Sequence, residues 1–126
     1  MRRVKVSFIL SSDKVSISVL AEQIGIYPYK SRSEFPSNSI AIPYWYIENE
    51  DDSSSVEDTL KPLVERINPY STKIIEAIER YGLESTVLII INSDYEERPE
   101  ISITSEMMAF FRQFKVELCI DVAYEW

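Results

Sequence analysis

The sequence predicts an α+β fold, with a single mixed or mostly antiparallel sheet and helices packed against it. Segments with the apolar period of a strand are mixed, without strict alternation, with segments of helical period. Only two glycines occur among 126 residues, which argues against a tight-turned all-β barrel. The expected order of elements is β-α-β-α-α-β-β-α-β, in a single α+β domain covering residues 1–126.

The first third of the chain predicts a strand, a short helix and a second strand. Residues 3–11 alternate apolar and polar positions, as strands do. Asp13 is expected to cap the helix and Gly25 to end it. Residues 39–48 are rich in β-branched and aromatic side chains and predict the second strand, with the acidic residues 48–52 as a connection after it. The apolar face of the helix comprises Ile17, Leu20, Ala21 and Ile24.

The middle of the chain predicts two consecutive helices. Ser54 and Glu57 have the spacing of a capping box. Pro62 lies inside the first helical pattern and is expected to kink or restart it. Residues 68–69 are a second start signal, and Gly82 is placed to end the second helix. The expected inward positions are Val56, Leu60, Leu63, Val64 and Ile67, then Tyr70, Ile74, Ala77, Ile78 and Tyr81.

The last third predicts the centre of the sheet and its final strand. Residues 85–92 are so continuously apolar that we expect a central strand covered on both faces. A short strand is expected at residues 100–103, followed by a helix capped by Thr104 or Ser105. Residues 115–124 predict the closing strand.

The negative charge is concentrated in two segments. The formal net charge is −8, whereas residues 48–58 carry −6 and residues 94–106 carry −4, which leaves +2 for the remainder. A focused field of one sign steers a partner of opposite sign. The acidic balance also argues against nucleic acid as a direct ligand, because phosphate contacts require Lys and Arg.

A dense aromatic triplet precedes the first acidic segment. In a strand, Tyr44 and Tyr46 point to one face and Trp45 to the other, so Trp45 is expected in the core. The two tyrosines are either surface anchors for a partner or half-buried core residues. The candidate partner-binding residues are Tyr44, Tyr46, Glu48, Glu50, Asp51, Asp52, Asp94, Glu96 and Glu97.

Residue types that usually act in catalysis or metal binding are scarce. Histidine is absent, which removes serine and cysteine triads and histidine-based zinc sites. Cys119, the only cysteine, is expected to be a buried, inert thiol. Asp121, on the same strand face, is either a partly exposed carboxylate or a buried acid. The acidic segment 48–58 lacks the glycine and glutamate positions of an EF-hand loop. We therefore expect no catalytic residue, metal site or cofactor, and no enzymatic activity.

The apolar segments are short. The longest, residues 87–91, is far below the roughly 20 residues of a membrane-spanning helix. The amino terminus has the period of a strand rather than the pattern of a signal peptide, and a single cysteine allows no internal disulfide. We expect a soluble cytoplasmic protein that does not bind membranes.

Several local patterns together resemble the bacterial domain-of-unknown-function family 4279. They are a first strand followed by an Asp and a short helix, an aromatic strand with Trp45, and a helical region with an early capping box. The remaining pieces are Gly25-Ile26-x-Pro28, Pro99-x-Ile101-x-Ile103 followed by Thr and Ser, and Asp121-x-x-Tyr124. The resemblance implies a small cytoplasmic α+β domain with no assigned activity, and it brings no catalytic residues.

Small acidic domains of this kind occur as immunity proteins beside bacterial toxins, and this chain is similar to them in size and charge. The leading functional hypothesis is therefore an immunity protein that occludes the active site of a basic toxin, plausibly a nuclease. The alternative is a structural or regulatory domain that forms a homodimer through a sheet edge. The first hypothesis requires the two acidic segments to lie on one side of the fold.

Overall fold

The predicted α+β class is confirmed by a computed structural model, which describes residues 3–12, 14–26, 44–51, 55–94 and 101–125. Apart from the short strand expected at residues 100–103, the strands and helices follow one another in the predicted order. They are β1 (Arg3–Ser11), α1 (Ile17–Ile24), β2 (Tyr44–Asp51), α2 (Val56–Ile67), a 3₁₀ turn (Asn68–Tyr70), α3 (Ser71–Tyr81), β3 (Glu84–Asp94), α4 (Ser105–Gln113) and β4 (Glu117–Glu125).

The four strands form one mixed sheet in the order β2-β1-β3-β4. Strand β1 pairs antiparallel with β2 on one side and with β3 on the other. Strand β4 pairs parallel with β3. Consequently β2, β3 and β4 all run in the same direction, and their carboxyl ends lie at the end of the sheet where β1 begins.

The helices pack against one face of this sheet, here called the helix-covered face. The residues of β1 that point to it are at most 1% exposed, and they share one core with buried residues of all four helices. Phe8 lies at the centre of an aromatic cluster, with ring centroids 6.2 Å from Trp45, 6.2 Å from Phe110 and 5.2 Å from Phe114. The β1 positions on this face are Val4, Val6, Phe8 and Leu10.

The opposite face, here called the open face, is not covered by any of the helices in the described part of the chain. Ile9 of β1 and Leu88 and Ile90 of β3 are only partly buried there. On the helix-covered face, by contrast, Val87, Ile89 and Ile91 are fully buried. The described helices therefore cover one face of the central strand, and cover on its other face stays a prediction. A continuous apolar run shows that a strand is apolar on both sides, but it does not show what covers each side.

Two helix caps lie closer to their helices than expected. Helix α1 is capped by Ser16 rather than Asp13, and α2 by Ser55 rather than Ser54. Each serine side chain accepts a hydrogen bond from the backbone N–H three residues further on. Helix α4 is capped by Thr104, which is one of the two residues predicted for that position.

The helix ends follow the predicted signals. Gly25 ends α1 with φ 91° and Gly82 ends α3 with φ 62°, left-handed conformations that glycine adopts readily. Pro62 does not interrupt α2, which continues from Val56 to Ile67. Pro62 cannot donate to the carbonyl of Asp58, but both residues are exposed, so water can hydrogen-bond that carbonyl.

Two strand boundaries differ from the prediction. Strand β2 continues to Asp51, so most of the acidic segment expected to form a connection is part of the sheet. Residues 101–104 form no strand and lead directly into α4. The first difference matters for function, because it gives the acidic residues of β2 defined neighbours on β1.

The one-sided core predicts that neighbouring residues of β1 contribute very unequally to stability. Phe8→Ala should lower the free energy of unfolding by about 3–5 kcal/mol, because it removes a buried ring and leaves a cavity. Urea denaturation followed by circular dichroism measures the change. Ile9→Ala, on the open face, is the matched control and should cost clearly less. Equal losses for the two variants would contradict a core on one face only.

Candidate protein-binding surface

The two acidic segments begin at the same end of the sheet. Val4 of β1 is the register partner of Asp51 on β2 and of Ile91 on β3. Asp94, the last residue of β3, lies three residues beyond Ile91. Strand spacing and rise then place the Cα atoms of Asp51 and Asp94 about 14 Å apart. The backbones of the two acidic segments therefore reach the same end of the sheet at these two residues.

Strand β4 brings further negative charge to the same end. Its residue Glu125 is the register partner of Asp94 in the parallel ladder. We call this region the acidic end of the sheet and define it by Glu50, Asp51, Asp94 and Glu125. Arg3, the first residue of β1, lies between β2 and β3 there, so one cation is set among these carboxylates.

As predicted, Trp45 and Tyr46 of the aromatic triplet point to opposite faces of the sheet. Trp45 and Ile47 face the helices and are 0% and 3% exposed. The Trp45 Nε1–H donates a hydrogen bond of 3.1 Å to the carbonyl oxygen of Ile26. This bond satisfies the polar atom of a fully buried ring and links β2 to Ile26, two residues beyond the end of α1.

Tyr46 does not form an exposed anchor. It points to the open face beside its register partner Ile9, yet it is only 7% exposed. The interpretation of Tyr46 as a surface anchor for a partner is therefore wrong, because its side chain is buried. Strand period shows which way a side chain points, whereas burial depends on neighbours that the local sequence does not contain. Tyr44, the first residue of β2, is the register partner of Ser11.

The two glutamates of β2 are exposed, but cations on β1 compensate them. Glu48 accepts a 3.3 Å hydrogen bond from the Ser7 hydroxyl and lies 3.7 Å from the Lys5 ammonium. Glu50 forms an ion pair with the Arg3 guanidinium. Since all these residues belong to the ladder between β1 and β2, the charge of these two glutamates is largely balanced within the sheet.

The open face of β4 carries two carboxylates near its centre and start. Glu117 and Asp121 are both exposed, and Cys119 between them is partly buried. Asp121 is thus the exposed carboxylate, and its reading as a buried acid is wrong; Cys119 is less buried than expected. Their register partners on β3 are Thr86, Leu88 and Ile90, none of which carries a positive charge.

Asp52, Glu96 and Glu97 lie outside the described residues. Within the described ranges, no group of three or more His, Cys, Asp or Glu residues could hold a metal ion. No helix in that part of the chain is long and apolar enough to span a membrane.

A cavity between α2 and α4 is too small for a typical ligand site. Its volume is about 120 Å³, whereas small-molecule sites usually occupy roughly 300–1,000 Å³. The cavity is lined by Glu57, Leu60, Lys61, Val64, Thr104, Glu106 and Met107. Among the described residues, this cavity therefore does not supply a typical small-molecule site.

A comparison with protein families gives a match over nearly the whole chain. The family described as Domain of unknown function (DUF4279) matches residues 2–125. No curated protein and no solved structure was found to match the chain.

The cross-strand pairs on β2 should contribute little to stability. For Lys5→Ala and Glu48→Ala, we expect a coupling free energy of no more than about 1 kcal/mol, because both side chains are partly solvated. A double-mutant cycle from urea unfolding measures it, and added salt should reduce it. Lys5→Ala with Glu57→Ala, which pairs β1 with a helix, should show no coupling. A Lys5–Glu48 coupling well above this value would contradict the exposed geometry.

Proposed function

This chain belongs to the DUF4279 family, and we propose that it is a protein-binding domain rather than an enzyme. Its partner is a basic protein, and the acidic end of the sheet steers that partner into contact. The observation that carries the proposal is the common direction of β2, β3 and β4. Because these strands share a direction, they all finish at the same end of the sheet, β2 at Asp51, β3 at Asp94 and β4 at Glu125.

The charge distribution supports a partner of opposite sign. Residues outside the two acidic segments carry a net charge of +2, so the negative field is directional rather than general. Such a field raises the association rate of a basic partner and repels acidic ones. The pairing of Glu48 and Glu50 with Lys5 and Arg3 reduces the contribution of β2 and leaves its carboxyl end and β3 as the main sources.

A basic bacterial toxin, plausibly a nuclease, is the partner class that fits this chemistry. An enzyme that acts on nucleic acid needs a cationic substrate site to hold phosphates. An acidic domain of 126 residues is large enough to cover such a site and block substrate entry. The proposed role is therefore that of a cytoplasmic immunity protein, which neutralises its toxin by occlusion without any chemistry of its own.

The test uses the product of the gene immediately upstream as the partner. We expect its expression to arrest bacterial growth and coexpression of this chain to restore growth. With both proteins purified, stopped-flow association should slow by about tenfold or more between low and physiological salt. Asp51→Lys with Asp52→Lys should lower the association rate constant at low salt.

Glu65→Lys with Glu76→Lys is the matched control, because it makes the same change in net charge on exposed helix positions. This control should slow association less than the change at the acidic end. Equal rates for the two double variants would mean that net charge alone acts. If no complex forms, or growth is not restored, the immunity proposal is wrong.

Self-association through a sheet edge is the second candidate function. It is favoured by one observation, namely that β2 and β4 each pair with only one strand among the described residues. Light scattering across a wide concentration range decides between the candidates. The immunity proposal predicts a monomer whose mass does not change with concentration. A dimer that dissociates on dilution would instead support self-association.

A further inference from the structure

The two edge strands of the sheet differ in how well they are protected. An edge strand presents unpaired backbone N–H and C=O groups to solvent, and natural proteins usually cover or disguise it. On β2, Trp45 and Ile47 are buried under the helices, and Glu48 and Glu50 are paired across the ladder. Strand β4 is only partly covered by the helices, and its exposed carboxylates have uncharged register partners on β3.

The helix layer does not fully cover β4. Ile120 of β4 is 41% exposed, whereas its register partner Ile89 on β3 is 0% exposed. Leu118 and Val122, on the same face as Ile120, are packed against the core but remain partly exposed. A strand added beside β4 would place alternate side chains over this apolar margin and cover it.

The other face of β4 carries regularly spaced negative charge. Glu117 and Asp121 are four residues apart, so both belong to the open face of the strand, and Glu125 follows at the same spacing in the sequence. Glu117 and Asp121 are exposed, and their partners on β3 are the uncharged Thr86 and Ile90. An incoming strand with cations at the matching positions would form cross-strand pairs with them.

From these observations we propose that β4 is a docking edge for an extended basic segment of the partner protein. The segment adds a fifth strand to the sheet through backbone hydrogen bonds. Its Lys or Arg residues lie on the open face beside the β4 carboxylates, and its apolar residues alternate with them and cover Ile120. The inference rests on the proposed function, since it specifies how the basic partner engages the domain.

A second copy of this chain fits the same edge poorly. In an antiparallel pair with its twofold axis at residue 121, Asp121 would lie opposite its own copy, and Glu117 opposite Glu125. Like charges directly opposite each other destabilise a strand pair. The carboxylates therefore select against self-pairing of β4 and in favour of a basic segment.

The probe is a synthetic peptide of nine residues, the length of β4, with Lys at its first, fifth and ninth positions and Val at the even ones. In a strand these lysines share one face. The control peptide has the same composition with lysines three apart, so that neighbouring lysines point to opposite faces. Backbone amide exchange of the intact protein is measured with each peptide. We expect slowed exchange in β4 but not in β2, and only with the first peptide.

Matched charge reversals then test the role of the carboxylates. Glu117→Lys with Asp121→Lys should weaken binding of the first peptide by about tenfold or more at low salt. Glu48→Lys with Glu50→Lys makes the same change on the other edge and should weaken it less. Circular dichroism confirms that each variant folds. Protection of β2 instead of β4, equal protection by both peptides, or no protection would overturn the proposal.

The toxin experiment and the peptide experiment can fail independently. If the upstream product binds the domain but the β4 reversals leave its affinity unchanged, the docking edge is wrong and the immunity function stands. If the peptide protects β4 but the upstream product does not bind, the docking edge stands and the immunity function is wrong.

Discussion

Strand β1 has a hydrogen-bonded neighbour on each side, and its register fixes which residues of β2 and β3 face the helices. Phe8 and its alternate neighbours occupy the helix-covered face, so Ser7, Lys5 and Arg3 must occupy the open face. A shift of one residue in either ladder would move every core side chain of the neighbouring strand to the opposite face. The aromatic contacts of Phe8 with Trp45, Phe110 and Phe114 oppose such a shift.

The same register determines how the acidic residues act. Because β2 continues through Asp51, Glu48 and Glu50 lie opposite Ser7 and Lys5, and nearby cations balance much of their charge. On β4, by contrast, the exposed carboxylates of Glu117 and Asp121 have uncharged register partners on β3. The field that a partner meets is therefore set by pairing within the sheet as well as by the number of acidic residues.

Antiparallel pairing of β1 with both neighbours, followed by the parallel addition of β4, gives the domain its polarity. Three strands end together at the acidic end of the sheet, and one of them, β4, is also the more open of the two edge strands. Long-range steering at the acidic end and short-range strand addition along β4 are compatible, because a partner attracted to one is already near the other.

The sequence by itself determined the helices and strands, because strand period, helical period and glycine conformation act over short distances. The strand at residues 3–11, the apolar face of α1 and the helix ends at Gly25 and Gly82 needed no tertiary information. It also determined that Trp45 is buried and that the charge is uneven. Only the tertiary structure decided that Tyr46 is buried, that Glu48 and Glu50 meet Lys5 and Arg3, and that Asp121 is exposed on an edge. Each of these depends on strand pairing or packing between residues far apart in the chain, and local patterns do not encode which strands become neighbours.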